Sequence, residues 1–130
     1  MTKLFKFSSL LILVLSLFVL VGCAPKDPAT AKANMEEKGY AVLVDETITP
    51  AGLNLFGVTG AKATFTAAKG ATETEEASAL FAVFFDTKDN AKASMAKLKE
   101  WAEKNDKASN FTQKGQWLVA GDDAAVKAFK

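Results

Sequence analysis

Three features of the chain predict an α+β domain, with helices packed on one face of an antiparallel sheet of about four strands, in the order α-β-β-β-α-β-α. Residues 79–85 (Ala-Leu-Phe-Ala-Val-Phe-Phe) form an unbroken apolar run, which suits a central strand buried on both sides. Residues 61–68 instead alternate, sending Ala63, Phe65 and Ala67 one way and Lys62, Thr64 and Thr66 the other. Asp27-Pro28 and Asp86 each precede a helix-favouring segment, as an N-cap should. Strands in sequence with helices between and around them fit a sheet covered by helices.

The elements follow in order. Asp27 caps a helix whose first position is Pro28, where the missing N–H costs nothing, and Gly39 closes it in the left-handed region. Ala31 and Met35 make its inward stripe. Tyr40, Val42 and Val44 then share one face of a strand. Thr49-Pro50-Ala51-Gly52 reads as a turn, after which Leu53, Leu55, Phe56 and Val58 are apolar enough to be tucked inside. Lys69-Gly70 turns the chain into an acidic connection at 71–76. Beyond the central strand, Asp86 caps the longest helix, with Asp89 in its first turn. Ala91, Met95, Leu98 and Ala102 recur at helical spacing, Trp101 flanks them, and the pattern runs to about Lys104. Residues 111–112 pair with 116–120 across Gln113-Lys114-Gly115, and Asp122 or Asp123 caps a last helix with Val126 and Phe129 turned inward.

Ahead of this domain lies an address. Lys3 and Lys6 give a positive start, and residues 10–21 are apolar but for Ser16, the length of a signal-peptide core. That run is short of the roughly 20 residues needed to span the hydrocarbon of a bilayer. It ends Leu20-Val21-Gly22-Cys23, and Cys23 is the only cysteine of the chain. Leu-Val-Gly-Cys resembles a bacterial lipobox, which implies cleavage between Gly22 and Cys23 and a diacylglyceryl, N-acylated (palmitate-type) anchor on the thiol. The expected organisation is therefore a signal peptide at 1–22, a lipidated cysteine and short tether at 23–26, and one domain at 27–130. Three extended residues after Cys23 reach only ~10–14 Å, which holds the domain against the headgroups. The alternatives are an uncleaved signal anchor and an ordinary secretory signal with an incidental buried cysteine.

Composition narrows the chemistry. The 130 residues contain no histidine, so the usual general base, transition-metal ligand and near-neutral switch are missing. All 16 cationic residues are lysines, which removes the bidentate arginine clamp for phosphate or carboxylate. Against 15 acidic residues the balance is close to neutral, and that argues against a nucleic-acid partner and against electrostatic docking to anionic lipid.

Gly57-Val58-Thr59-Gly60-Ala61-Lys62 lacks the spacing of a phosphate-binding loop and reads as a flexible turn. Glu73, Glu75 and Glu76 lack the pattern of a calcium loop, and capping accounts for Asp122 and Asp123. The expectation is no metal and no cofactor. Aromatic residues are the remaining signal. Phe81, Phe84 and Phe85 belong to the core, whereas Trp117, Trp101 and Phe111 lie near a sheet edge, hairpin or helix flank and are the candidates for receiving a ligand or partner.

The segment 115–129 (Gly-Gln-Trp-Leu-Val-Ala-Gly-Asp-Asp-Ala-Ala-Val-Lys-Ala-Phe) and the helix-Gly-Tyr-Val unit at 33–42 resemble the two ends of small lipoproteins from low-GC Gram-positive bacteria and their wall-less relatives. The resemblance implies an extracytoplasmic, lipid-anchored location on the cell membrane and this order of elements. It implies no activity and no site residues. The functional expectation is a non-enzymatic binding or accessory module that meets another envelope protein or a small ligand. The alternatives are a structural envelope protein without a discrete ligand, or a carboxylate-based hydrolase.

Overall fold

The computed structural model describes residues 24–130, so the expected signal peptide at 1–22 and Cys23 lie outside the described residues. Five strands make one antiparallel sheet in the order β1-β2-β3-β5-β4. They are β1 (Ala41–Asp45), β2 (Ala61–Lys69), β3 (Ser78–Phe85), β4 (Thr112–Lys114) and β5 (Trp117–Gly121). The helices are α1 (Pro28–Glu37), α2 (Ile48–Phe56), α3 (Lys88–Ala93), α4 (Met95–Lys104) and α5 (Asp123–Ala128). The α+β class and the antiparallel sheet are as the sequence predicts. There are five strands rather than about four, because Thr112, Gln113 and Lys114 form a rung of their own against β5.

Register sorts the side chains into two faces, since directly opposed residues in an antiparallel pair point the same way. Phe65 lies opposite Ala82 and Val44, and Ala82 opposite Val119. These residues, with Leu80 and Trp117, pack under Ala31 and Met35 of α1 and Ala125 and Phe129 of α5. On the other side Phe81, Val83, Phe85 and Leu118 pack under Leu53 of α2, Ala91 of α3 and Leu98 of α4. The helices therefore cover both faces and not one. The reason is β3 itself: apolar on both sides, it needs cover on both.

Two further departures come from caps. Residues 48–56 form α2 and not a turn. Asp45 accepts from the N–H groups of Thr47, Ile48 and Thr49, which starts the helix, and Pro50 is tolerated in its first turn. Leu53 and Val58 are buried as expected, but Leu55 is exposed on the outer face. The long helix is capped by Thr87, whose hydroxyl accepts from the Asn90 N–H, while Asp86 instead accepts from the Asn90 side chain. That helix is also broken at Ser94, where the backbone leaves helical geometry (ψ −3°) and the buried hydroxyl bonds to both the N–H and the carbonyl of Thr59.

Candidate functional site

The face beneath α1 and α5 is closed by aromatic packing. Trp117 is fully buried, with ring centroids of Phe84, Phe129 and Phe65 at 4.8, 4.9 and 5.7 Å. Its indole N–H donates to the carbonyl of Pro25 at 2.8 Å. Trp117 is thus part of the core, and the expectation that it receives a ligand is corrected. A Trp is buried cheaply only when its N–H finds an acceptor, and the chain preceding α1 supplies one.

The opposite face is covered only in part. α2, α3 and α4 leave a cleft of about 430 Å³ over β1, β2 and β3. Its floor is Phe81, Thr64 and Thr66. Leu43 and Asp45 stand on the β1 side, Thr49 on α2, and Trp101, Asn105 and Lys107 on the α4 side. The structure brings two of the three candidate aromatics together here. Trp101 stacks on Phe81 at 5.8 Å with planes 24° apart, and Phe111 meets the same ring edge-on at 6.4 Å. The Lys107 ammonium lies 5.8 Å from the centroid of Phe81. Leu43 is 71 % exposed, an apolar side chain on an edge strand with no helix above it.

Asp45 is the one carboxylate of the cleft, and it is occupied. Its two oxygens accept from the Thr47, Thr49 and Ile48 N–H groups and from the Thr47 and Thr49 hydroxyls. The Thr47 N–H, followed by the Thr49 N–H and hydroxyl, holds its carboxyl far below the ordinary range. It therefore remains an ionised acceptor whose role is to start α2. The cleft offers an aromatic floor, threonine hydroxyls, a fixed negative charge at one end and a lysine at the other. Such a lining can hold a partly apolar ligand or side chain through stacking and hydroxyl contacts.

A second concavity, of about 690 Å³, lies among Tyr40, Lys69, Glu75, Ser78 and Asp122 at the far end of the sheet. Five of its polar groups are joined in pairs or chains. The Ser78 hydroxyl donates to Asp122 at 2.8 Å and so accepts from the Tyr40 hydroxyl at 2.9 Å, and Lys69 lies 3.7 Å from Glu75. Asp122 also receives the N–H groups of Ala79 and Ala125, which joins the start of α5 to β3. Partial burial pushes its carboxyl up, but the N–H groups of Ala79 and Ala125 and the Ser78 hydroxyl outweigh that and leave its pKa lowered. This network is a joint between elements, and the cleft over Phe81 is the candidate site.

Among the described residues no group of three acidic or thiol side chains is placed to hold a metal ion, and no helix is long and apolar enough to cross a membrane. Comparison with protein-family models, curated proteins and solved structures returns no match for this chain.

Leu43, Thr64, Thr66 and Phe81 are site residues that inspection of the sequence did not single out. For the threonines a signal existed, since the alternation in β2 already set them opposite the core residues Phe65 and Ala67. Nothing in the sequence marks Phe81 as the point where Trp101 and Phe111 converge.

Proposed function

We propose that this chain is a lipid-anchored, extracytoplasmic module of a bacterial membrane that binds a small ligand or another envelope protein in the cleft over Phe81, without catalysing a reaction. The anchor rests on Lys3 and Lys6, the apolar run at 10–21 and Leu20-Val21-Gly22-Cys23. It is consistent with the resemblance of residues 33–42 and 115–129 to small lipoproteins of Gram-positive bacteria and their relatives. Two or three acyl chains anchor stably where one is marginal, each buried CH₂ contributing about 0.8 kcal/mol.

The observation that carries the binding role is the cleft between β1 and α4, where Leu43 and Thr66 are exposed and Trp101 is half-buried beside the buried ring of Phe81. A concave surface that combines an exposed aliphatic side chain with a half-buried indole is surface available for recognition. A photoreactive residue in place of Leu43, in living cells, is expected to yield a discrete adduct that disappears in the Trp101→Ala background. Glu73, exposed in the loop between β2 and β3 and outside the cleft, is the control position. Identical adducts from both positions, or none from Leu43, would refute binding at the cleft. Cys23→Ala is expected to abolish incorporation of labelled fatty acid, and acyl labelling that persists in that variant would refute the anchor.

A further inference from the structure

We infer that one end of the sheet, where β2 begins, β3 finishes and β4 turns into β5, rests directly on the bilayer, with α2 lying in the interfacial zone. The inference rests on the lipid anchor proposed above and adds the orientation of the domain. Its first ground is the way the chain enters the fold. Pro25 is buried, with its carbonyl held by the Trp117 indole at 2.8 Å, and Ala24 packs against the same core. Ala24 lies beside the β4–β5 turn, its Cβ 3.2 Å from where a Cβ on Gly115 would stand. The short tether expected from the sequence is therefore no free tether, because its residues are part of the domain. Successive Cα atoms are about 3.8 Å apart, so an acylated residue 23 leaves no slack between the lipid and this turn.

The second ground is independent of the cysteine. α2 joins the last residue of β1 to the first of β2, and in an antiparallel pair these lie at one end of the sheet. It is the same end as the β4–β5 turn: the Asn54 side chain bonds both backbone groups of Ala61, Gly60 accepts from Asp86, and Gln116 donates to the Phe85 carbonyl. The sequence of α2, ITPAGLNLF, holds no charged residue, and it exposes Ile48 at 79 % and Leu55 at 90 %. Exposed aliphatic side chains on an uncharged helix suit the headgroup–acyl boundary, where they lose water without desolvating a charge. The loop carrying Glu73 is at the opposite end, beyond the nine residues of β2, about 30 Å away along the strands.

The test uses the full chain, processed in cells and placed in phosphatidylcholine–phosphatidylglycerol vesicles containing a nickel-chelating headgroup lipid. Leu55→Cys and Glu73→Cys each add the one thiol left free when Cys23 is acylated, and each receives a nitroxide. Relaxation of the label by headgroup nickel is expected to be several-fold greater at position 55 than at 73, with a label in Lys88→Cys behaving like the former. Equal relaxation at 55 and 73, or stronger relaxation at 73, in chain shown by mass to be acylated would overturn the orientation and leave the anchor standing. An unmodified Cys23 in that mass spectrum would overturn the anchor and the orientation with it.

Discussion

The two faces of the sheet are built from similar materials to different degrees of completion. Beneath α1 and α5, Phe65, Trp117 and Phe129 interlock at edge-on angles of 76–80° and are fully buried. Beneath α2 and α4, Phe81 is nearly as buried, yet its partner Trp101 stays half-buried, and on β1 Leu43 is left in solvent. The difference lies in how far the helices reach. α1 and α5 cover Phe65, Leu80 and Trp117 and leave Val42, Val44 and Phe84 half-buried, whereas α2 and α4 part over the β1–β2 edge, where Leu43 and Thr66 are exposed. Both faces hold a buried core, but among the described residues only the second leaves a cleft between its helices and the edge strand.

Substitutions can break this contrast, the largest effect coming from the closed face. Trp117→Ala is expected to cost about 3–5 kcal/mol, measured as a shift in the urea midpoint, because Phe65, Phe84 and Phe129 all pack on its ring. It is also expected to free residues 24–25, detectable as protease sensitivity ahead of α1. Gly121→Ala should cost about 1–3 kcal/mol. A methyl there would overlap the Ala79 carbonyl and come within 2.7 Å of the Leu80 Cα, so this glycine answers to a close approach of backbones and not to its dihedral angles. A normal midpoint for that variant would mean that β3 and β5 are less tightly joined than the register implies.

The remaining substitutions are expected to cost less. Trp101→Ala should remove about 1–2 kcal/mol, from a half-buried indole stacked on Phe81. Iodide should quench Trp101 and leave Trp117 dark to the quencher, so Trp101→Phe should abolish quenching altogether. Asp122→Ala is expected to lower stability by about 1 kcal/mol, the ordinary worth of an N-cap, by loosening α5 from the closed face.

The capping carboxylates also set the response to acid. Asp27, Asp45 and Asp122 all have pKa values lowered in the folded state. The unfolded chain therefore binds protons first as pH falls, so their contribution is complete above about pH 4–5 and disappears as pH drops below the unfolded value of about 3.9. With no histidine in the chain, the urea midpoint should be level between pH 6 and 7.5 and fall toward pH 3. Asp122→Asn should reduce that fall. At the bottom of the scale, Leu43→Ala should change stability by less than about 0.5 kcal/mol while altering whatever the cleft contacts. A larger loss would show that the open face is part of the core after all.

Much of this architecture could be read directly from the chain. Asp27-Pro28 starts α1, Gly39 ends it, the alternation in β2 sorts Phe65 from Thr66, and residues 79–85 make the central strand. All of these are local, because period and capping depend on neighbours within a turn or two. α2 was missed for a local reason as well: Thr-Pro-Ala-Gly carries turn residues, and the cap that overrules them comes from Asp45, three residues ahead of the helix. Of the three aromatic candidates, Trp117 is a core residue. Trp101 and Phe111 do meet, but at Phe81, a residue whose own run marked it only as core.

What the sequence by itself determined was the identity of most elements, the two-sided apolar character of β3 and the near-neutral, histidine-free chemistry. Only the tertiary structure decided which face was sealed, where Trp117 went and that the stretch after Cys23 is docked and not loose. The indole of Trp117 takes its acceptor from Pro25, 92 residues away along the chain, and Trp101 reaches the strand that holds Phe81 across a helix–sheet interface. Periodicity tells a side chain which way to face. What it meets there is set by the packing of elements distant in sequence, whose burial and hydrogen bonding are settled together when the layers close.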